Sequence, residues 1–368
     1  MRVKALAGHT RGLITWSPFA APTRLRLRAK LKRRDSILFL GDSQMKFKPL
    51  GRTGVQVSEL CFGTMSFGGD ADEATSAAMY KACRDEGINF FDCADQYNKG
   101  RAEEILGDLM QGHRDDLVIT TKCYNPAGDD INARGTSRRH VVRAIEASLK
   151  RLKTDRVDVL FLHQFDRRTP IEESIRALED VVRSGKVLYP AVSNYAAWQV
   201  QTALGIQERN NWSRLALIQP MYNLVKRQAE VEILPMAQAN GVGVIPYSPA
   251  AAGLLSGKYS GQATGRLKSN KMYEARYGEE WVFEVAEKFV AFCKARGSHP
   301  VATAVAWVGA HPAVTAPIIG ARNVEQLRDS LAAVKVEMPP ALRAEIAALS
   351  RTPPPATDRL EEIKPPRA

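Results

Sequence analysis

Four side chains in the first half of the chain could together deliver a proton to a carbonyl oxygen: Asp92 and Tyr97 in FFDCADQY, Lys122 in VITTKCY and His163 in VLFLHQFD. A free phenol has a pKa of about 10 and is a poor acid near neutrality. An ammonium beside it favours the phenolate and should bring the hydroxyl toward a useful range. Lys122 can supply that charge, and Asp92 can anchor and neutralise the lysine. His163 can hydrogen-bond the substrate oxygen and orient it. Singly, each residue has a bland explanation: a loop cap, a packed ring, a solvated amine, a satisfied core histidine. Their order at the ends of consecutive apolar runs favours the chemical reading.

Those runs are the elements that must position the four. Short stretches rich in β-branched residues fall at 60–64, 88–92, 117–122, 157–163, 188–193, 216–220, 242–247 and 316–320. Near-continuous apolarity without in–out alternation is what a strand buried on both faces requires. Between them lie segments with helical spacing. Val142, Ile145, Leu149 and Leu152 line one face, and Ile171, Ile175, Leu178 and Val182 another. Thr169-Pro170-Ile171-Glu172 reads as a capping box with proline at the first helical position. Gly87, Gly185 and Gly241 stand where helices should stop. Eight strands alternating with helices over about 290 residues predict a (β/α)₈ TIM barrel, an α/β fold whose reactive residues gather at the C-terminal strand ends. An open doubly wound sheet would want G-x-G-x-x-G after its first strand, and residues 62–69 have the wrong spacing. Ahead of the barrel, 47–50 and 55–58 around 51–54 predict a β-hairpin that plugs its bottom.

The net charge of +12 resembles a nucleic-acid signal until it is located. Residues 1–44 hold ten of the Lys and Arg against Asp35 and Asp42, so they contribute +8 and the rest only +4. A mildly basic globular part suits a cleft for a small phosphorylated ligand better than a duplex-binding face. The arm reads as a basic, disordered extension; a targeting segment and translation begun upstream of a natural Met45 are the other accounts. The barrel is expected over 45–368. No segment reaches the ~20 uninterrupted apolar residues of a membrane span. The five cysteines form no C-x-x-C pair and no cluster with zinc spacing, which suggests reduced thiols, a cytoplasmic protein and no metal.

From about residue 47 to 338 the chain resembles the aldo-keto reductases, within the longer-loop branch that includes microbial and plant reductases and reductase-like potassium-channel β-subunits. The family's Asp–Tyr–Lys–His tetrad falls on Asp92, Tyr97, Lys122 and His163, with YNKGRAEEILG after the tyrosine and LHQFD around the histidine. The resemblance implies NADPH bound extended over the barrel mouth. Ser193, Asn194 and Gln219 then meet the nicotinamide carboxamide, and Tyr247 stacks on the ring. Ser248, Lys258 and Arg266 meet the pyrophosphate, while Gly320, Arg322 and Gln326 clamp the adenosine 2′-phosphate. Arg322 leads a helix expected over 323–333, whose terminal amides already favour an anion. A guanidinium there matches a phosphate dianion and argues for NADP over NAD.

Two departures stand out. Ala250-Ala251-Ala252-Gly253 replaces a leucine and an extra glycine, and Asp329-Ser330 replaces Glu-Asn in the clamp helix. The expected partner is a small-molecule carbonyl substrate, with a homo-oligomer left open. Two other functions compete with NADPH-dependent carbonyl reduction: a lyase using Lys122 as a Schiff base, and a regulatory subunit that senses NADPH with little turnover. Substrate choice should rest on loops 65–72, 123–136 and 259–276, where Tyr273, Tyr277 and neighbouring Trp281 either line the pocket or pack loop on barrel.

Overall fold

Each of the eight apolar runs coincides with or overlaps a strand of one parallel barrel in the computed structural model, which describes residues 45–126, 128–259 and 271–357. A hairpin of β1 (Phe47–Pro49) and β2 (Gln56–Ser58) precedes it. The barrel strands are β3 (Cys61–Gly63), β4 (Phe90–Asp92), β5 (Val118–Cys123), β6 (Val157–Leu162), β7 (Val187–Ser193), β8 (Leu217–Gln219), β9 (Gly243–Val244) and β10 (Ile318–Ile319). They run in chain order from β3 to β9, with β10 paired to β3. The ring closes through a parallel bridge between Tyr247 and Ile318, supported by Ile318 N–H to Pro246 O at 2.9 Å.

The period of two along each strand sorts its residues. Phe90, Val118, Val159, Phe161, Ala191, Leu217, Ile245 and Ile318 form the interior cluster, joined from below by Leu50 and Val57 of the hairpin. Their alternates, among them Phe91, Ile119, Leu160, Leu162 and Val192, pack against the surrounding helices. The hairpin therefore plugs the barrel as its sequence suggests. Its turn needs Gly51: the residue sits at φ 55°, and a Cβ there would fall 2.7 Å from Ala216 O.

Three helices matter for the site: α1 (Glu73–Asp85), α2 (Arg101–Leu109) and α3 (Arg138–Leu152). Next comes α4 (Ile171–Arg183), where the expected capping box fails. Pro170 is itself the N-cap, without a side-chain bond, because the Thr169 hydroxyl turns to Asp166 Oδ2 at 2.8 Å. Asp166 also takes the backbone N–H groups of Thr136 and Arg168, both at 3.0 Å, and so ties the loops after β5 and β6 together. No helix among the described residues is long and apolar enough to cross a membrane.

Candidate active site

Strand periodicity places the reactive groups one step above the apolar interior. Asp92 follows Phe90, Lys122 follows Val118 and Thr120, and His163 follows Phe161. Ser193 follows Ala191, Gln219 follows Leu217 and Tyr247 follows Ile245 in the same way. Each is the next inward position at the C-terminal end of a parallel strand, where loops open onto the barrel mouth.

The four residues of the expected tetrad come together. Lys122 is fully buried, and its Nζ donates to Asp92 Oδ2 at 2.5 Å, Cys93 O at 2.7 Å and Tyr97 Oη at 3.2 Å. Three ammonium protons meet three acceptors. His163 lies edge-on to the Tyr97 ring, centroids 6.1 Å apart at 77°. Asp92 Oδ1 accepts from Thr120 Oγ1 at 2.7 Å and from Gln219 Nε2 at 2.9 Å. Gln219, expected on the nicotinamide carboxamide, thus touches the Asp92 carboxylate.

Electrostatics divide the roles. Burial alone would lower the proton affinity of Lys122, but Asp92 and Tyr97 beside it hold it above the usual lysine value. Burial, reinforced by the Lys122 charge, drives His163 down to about 3, so its imidazole is neutral near physiological pH. The Tyr97 hydroxyl departs from expectation. Burial pushes it up to about 12, outweighing the Lys122 ammonium, whose field Asp92 partly cancels. In the ligand-free chain the phenol therefore keeps its proton.

The residues expected to meet a cofactor form a second constellation. Asn194, held at φ 57°, donates from Nδ2 to His163 O at 3.0 Å and to Ser193 Oγ at 3.1 Å. Its Oδ1 accepts from Tyr247 Oη at 2.8 Å. Ser248 sits at φ 59°, its carbonyl accepting from Asn223 Nδ2 at 2.9 Å. Lys258 lies across the turn at Gly253, where a Cβ would fall 2.7 Å from its Nζ. Burial and the nearby Arg322 lower the proton affinity of Lys258. Neither cation forms an ion pair among the described residues. Two cations facing one another without a carboxylate suit a phosphate group.

Arg322 precedes Asn323, the N-cap of a helix at Val324–Leu331, shorter than expected and continued as a 3₁₀ turn. The Gln326 side chain accepts from the Arg322 N–H at 3.3 Å. Gly320 is exposed just beyond β10. Arg266 lies outside the described residues. Of the aromatics that could line or pack, Tyr273 and Tyr277 are buried, and Asn223 donates to Tyr277 Oη at 3.1 Å; they pack.

Sequence reasoning missed three residues here. Thr120 shares the inward face with Lys122, a signal that periodicity carried. Gln96 and Asp95 immediately precede Tyr97; Gln96 reaches His163, and Asp95 is buried with neither carboxylate oxygen hydrogen-bonded among the described residues.

Comparison with known proteins is consistent with this geometry. The sequence model of the aldo/keto reductase family matches residues 59–351. The chain is 42% identical over 307 residues to an uncharacterized oxidoreductase, YrpG, of Bacillus subtilis, covering 80% of this chain and 92% of that one. It is 36% identical over 309 residues to a probable voltage-gated potassium channel subunit beta of Oryza sativa, covering 79% and 92%. It is 33% identical over 332 residues to versiconal hemiacetal acetate reductase of Aspergillus parasiticus, covering 80% and 94%.

Proposed function

The chain belongs to the aldo/keto reductase family, and from that premise we propose an NADPH-dependent reductase of aldehydes or ketones with Tyr97 as the proton donor. The observation that carries the reading is the buried Lys122 ammonium, 2.5 Å from Asp92 and 3.2 Å from the Tyr97 hydroxyl, beside a neutral His163. The substrate oxygen accepts hydrogen bonds from Tyr97 Oη and an imidazole N–H of His163. When bound, NADPH supplies the hydride for the carbonyl carbon. Tyr97 gives its Oη proton to the oxygen, and Lys122 stabilises the phenolate that remains. His163, neutral, holds no second proton to give. Lys122, with three donors on three acceptors, is the electrostatic support and not the acid.

Ser193, Asn194 and Gln219 would hold the nicotinamide carboxamide, with Tyr247 against the ring. Lys258, Ser248 and Arg266 would take the pyrophosphate, and Gly320, Arg322 and Gln326 the 2′-phosphate. The Lys258–Arg322 pair suits anionic groups, and both cations lie on the cofactor side. The lyase reading lacks support, because a protonated Lys122 engaged three times has no lone pair for a Schiff base. The regulatory reading shares the NADPH site and differs in predicting negligible turnover and a dedicated protein partner. Five free, buried cysteines fit a reducing, cytoplasmic setting.

Following NADPH absorbance over a panel of aldehydes and ketones tests the reading. Wild type should turn over at least one of them. Tyr97→Phe should lower kcat by roughly 10²–10⁴-fold, the span of a lost general acid, with NADPH affinity retained. An unchanged rate would remove Tyr97 from the mechanism, and tight NADPH binding with no turnover would favour the regulatory subunit. Arg322→Ala should weaken NADPH binding far more than NADH binding; equal losses would detach Arg322 from the 2′-phosphate.

A further inference from the structure

We infer that Gln96 is a positioning residue: its side-chain amide, donating to Nδ1 of His163, keeps the imidazole proton on Nε2, the nitrogen offered to the substrate oxygen. The inference rests on the reductase reading of this site for its consequence, though not for its measurement.

A neutral imidazole carries one N–H and one lone pair, and its hydrogen bonds decide which nitrogen has which. With the proton on Nδ1, Nε2 would present a lone pair to the lone pairs of a carbonyl oxygen. That contact is repulsive, so only the Nε2–H tautomer can orient and polarise the substrate. The nearby Lys122 ammonium opposes escape through the doubly protonated ring.

Among the described residues, one side-chain group meets His163 Nδ1, and it does so through an amide nitrogen. Gln96 Nε2 lies 3.4 Å from His163 Nδ1, and the Gln96 side chain makes no other hydrogen bond among the described residues. The distance is long, as contacts in a ligand-free site often are before substrate tightens them. Backbone bonds fix the ring's base from two sides: His163 N–H to Cys123 O at 3.0 Å, and Asn194 Nδ2 to His163 O at 3.0 Å. The Tyr97 ring borders the imidazole edge-on. His163 Nε2 has no hydrogen-bond partner among the described residues. Placement is local: Gln96 caps the 3₁₀ turn Tyr97–Gly100, so the backbone that carries the proton donor also carries the tautomer selector.

Glutamate is the decisive replacement. It has nearly the same shape but only acceptors, so it should draw the proton to Nδ1. The test is long-range ¹H–¹⁵N spectroscopy of protein labelled at its six histidines, with His163 assigned by its loss in His163→Asn. Wild type should show pyridine-like Nδ1 and pyrrole-like Nε2. Gln96→Glu should invert that pattern and lower kcat on the order of tenfold or more, within the range of outer-shell partners. KM for the carbonyl and the Kd for NADPH should move less. Gln96→Leu, with neither donor nor acceptor, should give a mixture of tautomers.

An Nδ1–H signature in wild type, or the same tautomer in wild type and Gln96→Glu, overturns the proposal. A kcat loss without tautomer change does so too, since it would leave Gln96 a merely structural role. Gln96 is exposed, so the variants should keep the wild-type melting temperature. The spectra need neither cofactor nor substrate, so they decide the tautomer even if every carbonyl proves inert and the reductase reading falls.

Discussion

The charges at the site are settled by competition between burial and partners. Lys122 and Asp92 survive as a buried ion pair because each is further hydrogen-bonded, Lys122 to Cys93 O and Asp92 to Thr120 and Gln219. Asp95, only three residues from Asp92, lacks such partners. Burial, then the negative charge of Glu103, raises its carboxyl to about 7, against smaller opposing effects of Arg151, the adjacent Gln96 backbone N–H and Lys122. Glu103 meanwhile is satisfied, accepting from Arg151 Nε at 2.7 Å and Thr121 Oγ1 at 2.5 Å. The sign follows from linkage. Below the ordinary Asp value of 3.8 both folded and unfolded chains are protonated, and Asp95 is neutral in the balance. Between that value and about 7 the folded chain keeps a proton that the unfolded chain releases, so stability falls as pH rises. Above that window the cost is complete, on the order of 4 kcal/mol at 1.36 kcal/mol per pKa unit. Asp95→Asn should therefore match wild type in urea melts at pH near 4 and exceed it increasingly toward pH 8. A constant gap across that range would show that Asp95 does not titrate there.

Among the elements, what the sequence revealed is what strand and helix periods encode. Eight apolar runs became eight strands, and the interior position after Phe90, Thr120 and Phe161 brought Asp92, Lys122 and His163 to one mouth. Local signals erred where a longer-range partner competed. Thr169 leaves its helix end for Asp166 Oδ2 at 2.8 Å. Gln219 donates to Asp92, 127 residues earlier, a contact that no window along the chain could show. The acidity of Tyr97 was misjudged for a related reason. The Lys122 charge could be read from the sequence, but the burial that opposes it comes only with the closed barrel. The departure at 250–253 becomes physical here: Ala251 and Ala252 occupy φ 50° and 56°, left-handed backbone that glycine enters without strain. Each such residue costs about 1–2 kcal/mol, a local strain in the turn against which Lys258 lies.

At the scale of the whole chain, charge and fold separate. Residues 1–44 carry +8 of the net +12, while the described barrel begins with its own anchors at Met45. Met45 is buried in the outer core, and the next residue is stapled to the hairpin by Glu59 N–H to Lys46 O at 2.8 Å and Lys46 N–H to Glu59 Oε1 at 3.1 Å. Among the described residues, Met45 is the first member of the exterior cluster and Leu50 the first of the interior one. A chain starting at Met45 should therefore keep its melting temperature and its kcat/KM for any carbonyl it reduces. It should elute much earlier from a cation exchanger and lose salt-sensitive retention on DNA, because the charge left behind is only +4. A fall in melting temperature beyond about 3 °C, or roughly 1 kcal/mol for a domain this large, would mean that the arm contributes to the barrel's stability. Undiminished DNA retention would move the basic surface onto the barrel itself, where Lys258 and Arg322, proposed to meet the cofactor phosphates, would be the first to exchange for alanine.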